Sequence, residues 1–169
     1  MTDDPVAIDT GLSVAALLVD RAATLASAEM LGAADHVLAL AVQYAKDRVQ
    51  FGKPIGSFQA VKHMLADALV DVEGMRSTAY YAAWCAAAGD PERTLAASMA
   101  KAWCSDASRR VMATGLQVHG GIGFTWEHDM HLYLKRAQLD QVSYGDAAAH
   151  RDRIALLLRA RLDAGQALS

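Results

Sequence analysis

Residues 117–129 read QVHGGIGFTWEHD, and three of the four positions from 120 to 123 are glycine. A glycine inside a helix costs about 1 kcal/mol relative to alanine, so this cluster predicts that a long helix ends here and a short one follows. A turn that caps the helix is one interpretation. A ligand site is the other, because no side chains shield the glycine amides and Gln117 and His119 flank them with polar groups. Such a site suits a polar planar or phosphorylated ligand.

The sequence on both sides of this stretch predicts helices. Apolar residues recur at three- and four-residue steps, the chain has three prolines, and no strand-like alternation is visible. The expected fold class is all-α, an antiparallel four-helix bundle with one short extra helix, and FGKPIGSF at residues 51–58 is predicted to be a loop. The predicted helices are residues 12–49, residues 59–88, a third with Asp90 as N-cap and Pro91 at its first position, residues 128–139, and a fifth that starts near Asp146.

The length of 169 residues fits one domain whose core can fold without disulfides or metals. We assign the bundle to residues 12–163, with an N-terminal tail or linker remnant at 1–11 and a C-terminal tail at 164–169. The first helix is longer than a lone compact domain needs, and it is rich in alanine and glycine, which allow another backbone to approach closely. This pattern favours an oligomer.

Apolar periodicity predicts how three of the helices pack. The second helix has one core-facing stripe, made of Val61, Leu65, Ala68, Val72, Met75, Ala79 and Ala82. The third helix has two stripes and should be buried on two faces, made of Leu95, Met99, Ala102 and Trp103 and of Ala96, Ala100, Cys104, Ala107 and Val111. The fifth helix is expected to bury Ile154, Leu157, Leu158 and Leu162.

Composition excludes several classes of function. A net charge of −3 with a pI near 6.0 argues against a nucleic-acid partner. No signal peptide is recognised, and no apolar run reaches about 18 residues without a charge, so no membrane partner is expected. The six histidines show no metal-ligand spacing backed by a carboxylate, and no metal is predicted. Cys85 and Cys104 are expected to be reduced, in a cytoplasmic protein.

Two motifs together carry a resemblance to a known family. QVHGGIGFTWEHDMHLYLKRA at residues 117–137 and RVQFGKPIGSFQAVKHMLAD at residues 48–67 resemble the C-terminal helical domain of the flavin-dependent acyl-CoA dehydrogenases. The similarity extends from about Val14 to about Leu158. Either motif alone would be suggestive, whereas the pair with this separation is specific.

The resemblance implies a flavin site shared between subunits. In this family FAD lies at a subunit interface, and the C-terminal bundle of one subunit holds the adenosine diphosphate half of the cofactor bound to its neighbour. We call the matching residues the flavin clasp: Arg48, Gln50, Phe51, Gln117, Val118, Gly120 and Gly121. A guanidinium suits pyrophosphate oxygens, and glycine amides allow close approach. The alternative for Arg48 is a charge at a helix C-terminus, bonded to the last carbonyls of its own helix.

The catalytic positions of the family are not matched. The resemblance implies a glutamate base in a Tyr-Glu-Gly-Thr run, where this chain has Tyr144, Gly145, Asp146 and Ala147, so Gly145 stands at the glutamate position. A second branch of the family carries the base on the first bundle helix, at the position of Ala22. The catalytic residue is therefore unknown, with three carboxylates as fallback candidates: Asp146, Asp20 and Glu29.

These observations predict an acyl-CoA dehydrogenase C-terminal domain that binds FAD at a subunit interface and is inactive alone. The assembled enzyme would dehydrogenate acyl-CoA thioesters between the alpha and beta carbons. The N-terminal and middle domains of the family are absent from these residues, so homo- or hetero-oligomers with acyl-CoA dehydrogenase-like subunits are the expected partners, with this chain as the non-catalytic subunit. The alternative is a helical assembly module without flavin.

Overall fold

A computed structural model describes the backbone of residues 5–165 and the side chains of residues 14–165. The described chain is almost entirely helical, as predicted. Two short strands, β1 (Val49–Gln50) and β2 (Lys53–Pro54), pair antiparallel after the first helix, and 3-10 helices occupy Ile55–Ser57 and Gly120–Phe124. The α-helices are α1 (Pro5–Asp47), α2 (Gln59–Ala88), α3 (Arg93–His119), α4 (Met130–Val142) and α5 (Ala147–Asp163).

Helix α3 is the centre of the bundle and packs against α1, α2, α4 and α5. Its buried side chains are mostly small, so the neighbouring helices approach it closely. Ion pairs between helices establish their antiparallel order, because partners on one helix run backwards along the other. Between α5 and α3, for example, Arg151 pairs with Asp106, whereas Arg161, further along α5, pairs with Glu92 just before α3 begins.

The bounds of the first helix and the loop after it differ from the prediction. The first helix begins at Pro5 instead of near Leu12 and ends at Asp47, whereas residues 1–4 and 166–169 of the predicted tails lie outside the described residues. The predicted loop at residues 51–58 contributes one strand of a tight hairpin, an element that two-residue strands do not reveal by alternation. Phe51 (φ 54°) and Gly52 (φ 78°) form its turn with positive φ at both residues, which suits the twist of paired strands.

Capping explains the other differences at helix ends. The third helix begins at Arg93, so the predicted N-cap at Asp90 is wrong. Asp90 instead closes a turn in which its Oδ1 atom accepts the Glu92 amide at 2.7 Å. The fourth helix begins at Met130, two residues later than predicted. Asp146 is the N-cap of α5, and its Oδ1 atom accepts the Ala149 amide at 2.8 Å.

Most of the predicted core of α2 is confirmed, with Ala68, Val72, Met75, Ala79 and Ala82 buried, while Val61 and Leu65 are half-buried. One stripe of α3 is also buried, but Met99 and Trp103 of the other stripe are each 42% exposed. In α5 Ile154, Leu157 and Leu158 are only half-buried, and the prediction for Leu162 is wrong, because this residue is 58% exposed. The neighbouring Arg161 pairs with Glu92, which precedes the first residue of α3. Leu162 therefore lies beyond the end of α3, and no turn of that helix covers its side chain.

Helix α1 is apolar enough to raise the question of a membrane. By length and composition alone, Val14–Asp47 could span one, with a mean hydropathy of 1.4 in its most apolar window. Core helices of bundles have the same composition, and 44% of this window is buried inside the protein. Packing within the bundle accounts for the buried part of this apolar stretch.

Replacing Gly115 in α3 by alanine is expected to destabilise the bundle. An added Cβ would overlap the Val37 Cγ1 atom and lie 3.0 Å from the Met130 Cε atom. Overpacking of this kind costs about 1 to 3 kcal/mol. Gly32→Ala in α1 is the matched control, because nothing lies within 4 Å of its added Cβ, and it should stabilise by about 0.5 to 1 kcal/mol. Denaturant unfolding measures both, and equal effects would contradict this packing.

Candidate functional site

Both segments of the flavin clasp lie at the same end of the bundle. Val118, near the end of α3, is 7% exposed and packs in one cluster with Ala41 and Ala45 of α1. Ile55, after the hairpin, packs against the same cluster. The fold therefore brings together two motifs that are about seventy residues apart. Because the Val118 side chain is used in this packing, only its backbone can face a ligand.

Arg48 lies between α1 and the hairpin with its backbone fixed. Its amide donates to the Tyr44 carbonyl at 2.8 Å, and its carbonyl accepts the Ile55 amide at 2.8 Å. Its side chain is exposed, and within residues 14–165 no carboxylate or carbonyl accepts a hydrogen bond from its guanidinium. The alternative in which Arg48 bonds the last carbonyls of its own helix therefore finds no support, and the guanidinium is available to an anion.

The hairpin presents the other two residues of this segment. Phe51 is 91% exposed, and its φ of 54° is rare for a bulky residue, so the backbone holds it in a strained conformation. Its ring contacts the Phe58 ring edge-on, with centroids 6.1 Å apart. The Gln50 side chain is exposed and donates to the Val49 carbonyl at 2.8 Å. Strain at an exposed aromatic residue is typical of a contact surface.

The glycine turn caps α3 and also leaves an open surface, which are the features that the two interpretations of the sequence predict. Gly120, with φ 63°, ends α3, and its amide donates to the Leu116 and Gln117 carbonyls. This amide caps the helix, so the prediction that it is bare is wrong. An added Cβ at Gly120 or Gly121 would meet nothing within 4 Å, and Gly121 and Gln117 are exposed. The surface above the turn is therefore open to a ligand.

Two histidines lie beneath this turn. The His119 and His128 rings are 4.6 Å apart, and the His119 ring also stacks on Tyr44 at 4.6 Å. Burial lowers the pKa of His128, and the neighbouring His119 lowers it further. Among the described residues, no group of three histidine, cysteine or acidic side chains is placed to hold a metal ion.

Each fallback candidate for the base has a structural partner. Asp20 lies 2.7 Å from Arg153 and accepts the Thr94 hydroxyl at 2.7 Å, which joins α1, α3 and α5. Glu29 accepts two hydrogen bonds from Arg136, at 2.6 and 2.7 Å. Asp146 caps α5 as described above. The geometry gives a structural role to all three carboxylates.

Of the two positions without a base, Ala22 lines a pocket, and Gly145 directly follows a residue that lines it. Ala22 of α1 and Tyr144, in the loop between α4 and α5, line a pocket of about 270 Å³. Gly145 has a φ of 98°, and a Cβ there would lie 3.1 Å from the His150 Nε2 atom, so a glutamate at Gly145 would be strained. Ala147 is buried in α5. Ser143 and Tyr144 are thus the residues of this loop that line the pocket.

The sequence did not single out two buried charged residues near this pocket. Asp140 lines it and is 4% exposed, and burial, with the nearby Glu29 adding to it, raises the pKa of its carboxyl. Lys101 is fully buried, and its Nζ atom donates to the Gln141 carbonyl at 3.0 Å and the Gly145 carbonyl at 2.8 Å. Burial lowers its pKa. The sequence gives only a weak indication that these two residues are buried. Lys101 is a lysine within an alanine-rich helix, and Asp140 follows Arg136 by four residues.

Comparison with known proteins supports the resemblance. A family described as "Acyl-CoA dehydrogenase, C-terminal domain" matches residues 9–158. The chain is 49% identical over 134 residues to acyl-CoA dehydrogenase IpdE2 of Mycobacterium tuberculosis, covering 79% of this chain and 38% of IpdE2. It superposes on butyryl-CoA dehydrogenase of Megasphaera elsdenii with a TM-score of 0.84 at 33% identity, covering 88% and 39% of the two chains. The ChsE4–ChsE5 complex of Mycobacterium tuberculosis gives a TM-score of 0.82 at 35% identity, covering 87% and 40%. The chain spans about two fifths of the length of these relatives.

The raised pKa of Asp140 predicts how stability depends on pH. Because the folded carboxyl binds its proton more tightly than the unfolded one, the folded state holds more protons between the two pKa values. The free energy of unfolding should therefore fall as pH rises through that window. Asp140→Asn should remove this decline, as measured by denaturant unfolding across acidic pH. Asp67→Asn, on an exposed part of α2, controls for loss of a charge, and the same decline in both variants would contradict the assignment.

Proposed function

The chain belongs to the acyl-CoA dehydrogenase family, whose C-terminal domain it contains, and we propose that it holds the diphosphate half of FAD at a subunit interface. The observation that carries this proposal is the exposed Arg48 guanidinium at the same end of the bundle as the open glycine turn. A diphosphate needs a fixed cation and backbone that can approach closely, and these two segments provide both. Gln50, Phe51 and Gln117 are exposed around them and complete the proposed contact surface.

The residues that hold the cofactor divide their tasks. Arg48 binds pyrophosphate oxygens, and Gly120 and Gly121 allow the cofactor to approach the backbone. Gln117 offers amide hydrogen bonds, and Phe51 supplies an apolar contact across the interface. Bound FAD supplies the hydride acceptor for dehydrogenation of an acyl-CoA thioester between its alpha and beta carbons. Nothing in this division of tasks requires a proton acceptor from this chain.

The base is proposed to come from another subunit. Ala22 and Gly145 occupy the two positions implied by the family, and Asp20, Glu29 and Asp146 are engaged in structural contacts. Removing a general base typically lowers the rate by about two to four orders of magnitude. A hetero-oligomer in which a second acyl-CoA dehydrogenase-like subunit carries the base accounts for both the retained clasp and the missing carboxylate. The ChsE4–ChsE5 complex shows that chains similar to this one form complexes of two different proteins.

An apolar groove between α2, α3 and α5 is the proposed assembly surface. Met99, Trp103 and Ile154 line it, and Tyr81 and Trp84 are exposed on α2. Exposed apolar clusters of this kind mark interaction sites more often than free surface. We place the assembled enzyme in the cytoplasm, because Cys85 and Cys104 are buried thiols without a disulfide.

Arg48→Ala is expected to weaken FAD retention by the assembled enzyme. The substitution removes a charge-assisted contact, which corresponds to roughly a 10- to 100-fold loss of affinity. The measurement is the flavin content and FAD dissociation constant of the complex that forms with this chain in its source cell. Arg159→Ala is the matched control, because Arg159 is also exposed and its weak contact to Asp163 is 4.0 Å long.

The results separate the family function from an assembly module. Loss of FAD with Arg48→Ala and no loss with Arg159→Ala would support the clasp. If a stable complex forms and both variants retain FAD equally, Gly120 and Gly121 act only as a turn. A complex that contains no flavin even with the unmodified chain would favour the assembly module.

Met99→Lys is expected to weaken self-association or association with the second subunit. It places a charge in the apolar groove, where a charge must be desolvated when a partner covers it. Sedimentation velocity on the 18.0 kDa chain and on its complex measures the change. Leu25→Lys is the control. Leu25 is also an exposed apolar residue, with 70% exposure, but it lines the pocket between α1 and α4 and not the groove. A clean monomer of the unmodified chain that also binds no second subunit would contradict the assembly surface.

A further inference from the structure

Tyr44 connects the two segments of the flavin clasp through its backbone and its ring. Its carbonyl accepts the Arg48 amide at 2.8 Å, which anchors the first segment. Its ring stacks on the His119 ring, with centroids 4.6 Å apart and planes inclined by 29°. His119 lies between Val118 and Gly120 in the second segment. One residue therefore contacts both segments of the proposed ligand site.

His119 is itself held on the side away from Tyr44. It is 4% exposed, and its Nδ1 atom donates to the Gly115 carbonyl at 2.7 Å, so this nitrogen carries the proton. The His128 ring contacts it edge-on, with centroids 4.6 Å apart. His128 is fixed in turn, because its Nδ1 atom accepts the Met130 amide at 3.2 Å. The His119 ring cannot turn without loss of these contacts.

The separation of the two segments matters for an extended ligand. A diphosphate can contact the Arg48 guanidinium and the glycine turn at once only when the distance between these two groups matches the length of the diphosphate. If one segment moves relative to the other, only a fraction of molecules is competent to bind, and the affinity falls by that fraction. The hairpin that carries Phe51 is short and exposed, and Ile55 directly after it packs on the cluster of Ala41, Ala45 and Val118, so its position depends on how the ends of α1 and α3 meet.

We propose that Tyr44 and His119 are positioning residues, whose stacked rings hold the Arg48 segment and the Gly120–Gly121 turn at the separation that fits the diphosphate of FAD. The inference rests on the proposed function, because it takes the flavin clasp as the site being positioned. It assigns to this pair no contact with the cofactor. Their role is to keep two separate parts of the chain in register.

Spin-label distances test the positioning without any cofactor. Lys53→Cys on the hairpin and Gly121→Cys on the turn provide two exposed labelling sites, whereas Cys85 and Cys104 are buried. The distance distribution between the labels, measured by double electron–electron resonance, should be narrow in the otherwise unmodified chain. Tyr44→Leu should broaden it because leucine has no ring to stack, and Tyr44→Phe should restore it because phenylalanine keeps the ring.

Titration with ADP tests the link to the ligand. ADP contains the diphosphate that the clasp is proposed to hold, and the amide shifts of residues around Gly121 report its binding. Loss of one aromatic pair should weaken ADP binding roughly 2- to 10-fold in Tyr44→Leu. Tyr44→Phe should bind ADP as the unmodified chain does. His119→Leu should behave like Tyr44→Leu, because it removes the other ring.

Tyr133→Leu is the matched control for a general loss of stability. The Tyr133 ring contacts the His36 ring at 5.2 Å and joins α4 to α1, so this is also a tyrosine–histidine contact between helices, but its two residues lie outside the clasp. The variant should lose stability without a change in the label distances or in ADP binding. If Tyr133→Leu gives the same broadening as Tyr44→Leu, the effect is general and the proposal is overturned.

Two further outcomes are decisive. Unchanged label distances in both Tyr44→Leu and His119→Leu would show that the stack does not position the segments. Absence of ADP binding by the unmodified chain, together with intact label distances, would contradict the proposed flavin clasp. In that case Tyr44→Leu still decides whether the stack holds the two segments together, so failure of the positioning and failure of the function are distinguishable.

Discussion

The close approach of α1 and α3 is the constraint on which the rest of the structure depends. Gly115 faces Val37 with no room for a methyl group, and Ser108 contacts Met30 across the same interface at 3.5 Å. Because small side chains on α3 set this spacing, the ends of the two helices also meet. Val118 then packs on Ala41 and Ala45, and the segments that follow each helix lie side by side. The packing in the middle of the bundle thus determines where the residues of the clasp lie.

At the other end of the bundle, charged side chains hold helices and a loop together. Asp20 joins three helices through Arg153 and Thr94, and the buried Lys101 bonds the Gln141 carbonyl in the last turn of α4 and the Gly145 carbonyl in the loop after it. A buried ammonium is costly unless all its hydrogen bonds are made. Lys101 also donates to the Ser105 hydroxyl at 3.0 Å, so its three protons have three acceptors. These contacts fix the loop that carries Tyr144 and Gly145.

The sequence predicts the helices of this fold well because their signals are local and repeated. The stripe on α2 and the start of α5 near Asp146 follow from local sequence patterns, and both are present. The hairpin at Phe51 and Gly52 was not predictable, since strands of two residues have no period. Nor was the stacking of Tyr44 on His119, which depends on where two helices end in space. The site residues were reached through motif resemblance, and that route names Arg48 and Gln117 without revealing that the Val118 side chain is buried.

The proposed flavin clasp and a catalytic base make different demands on a fold, so a chain can keep the residues for one without the other. The clasp uses an exposed guanidinium and open backbone, and neither is buried at a cost when no ligand is bound. A base requires a carboxylate held without partners in a small pocket, which is unfavourable for folding. Here Ala22 and Tyr144 line that pocket, and Glu29 is neutralised by Arg136. A glutamate at position 22 would now face Glu29 and the buried Asp140, and like charges at close range raise the cost further. We therefore expect that a single substitution of Ala22 by glutamate would not create a functional base in this pocket.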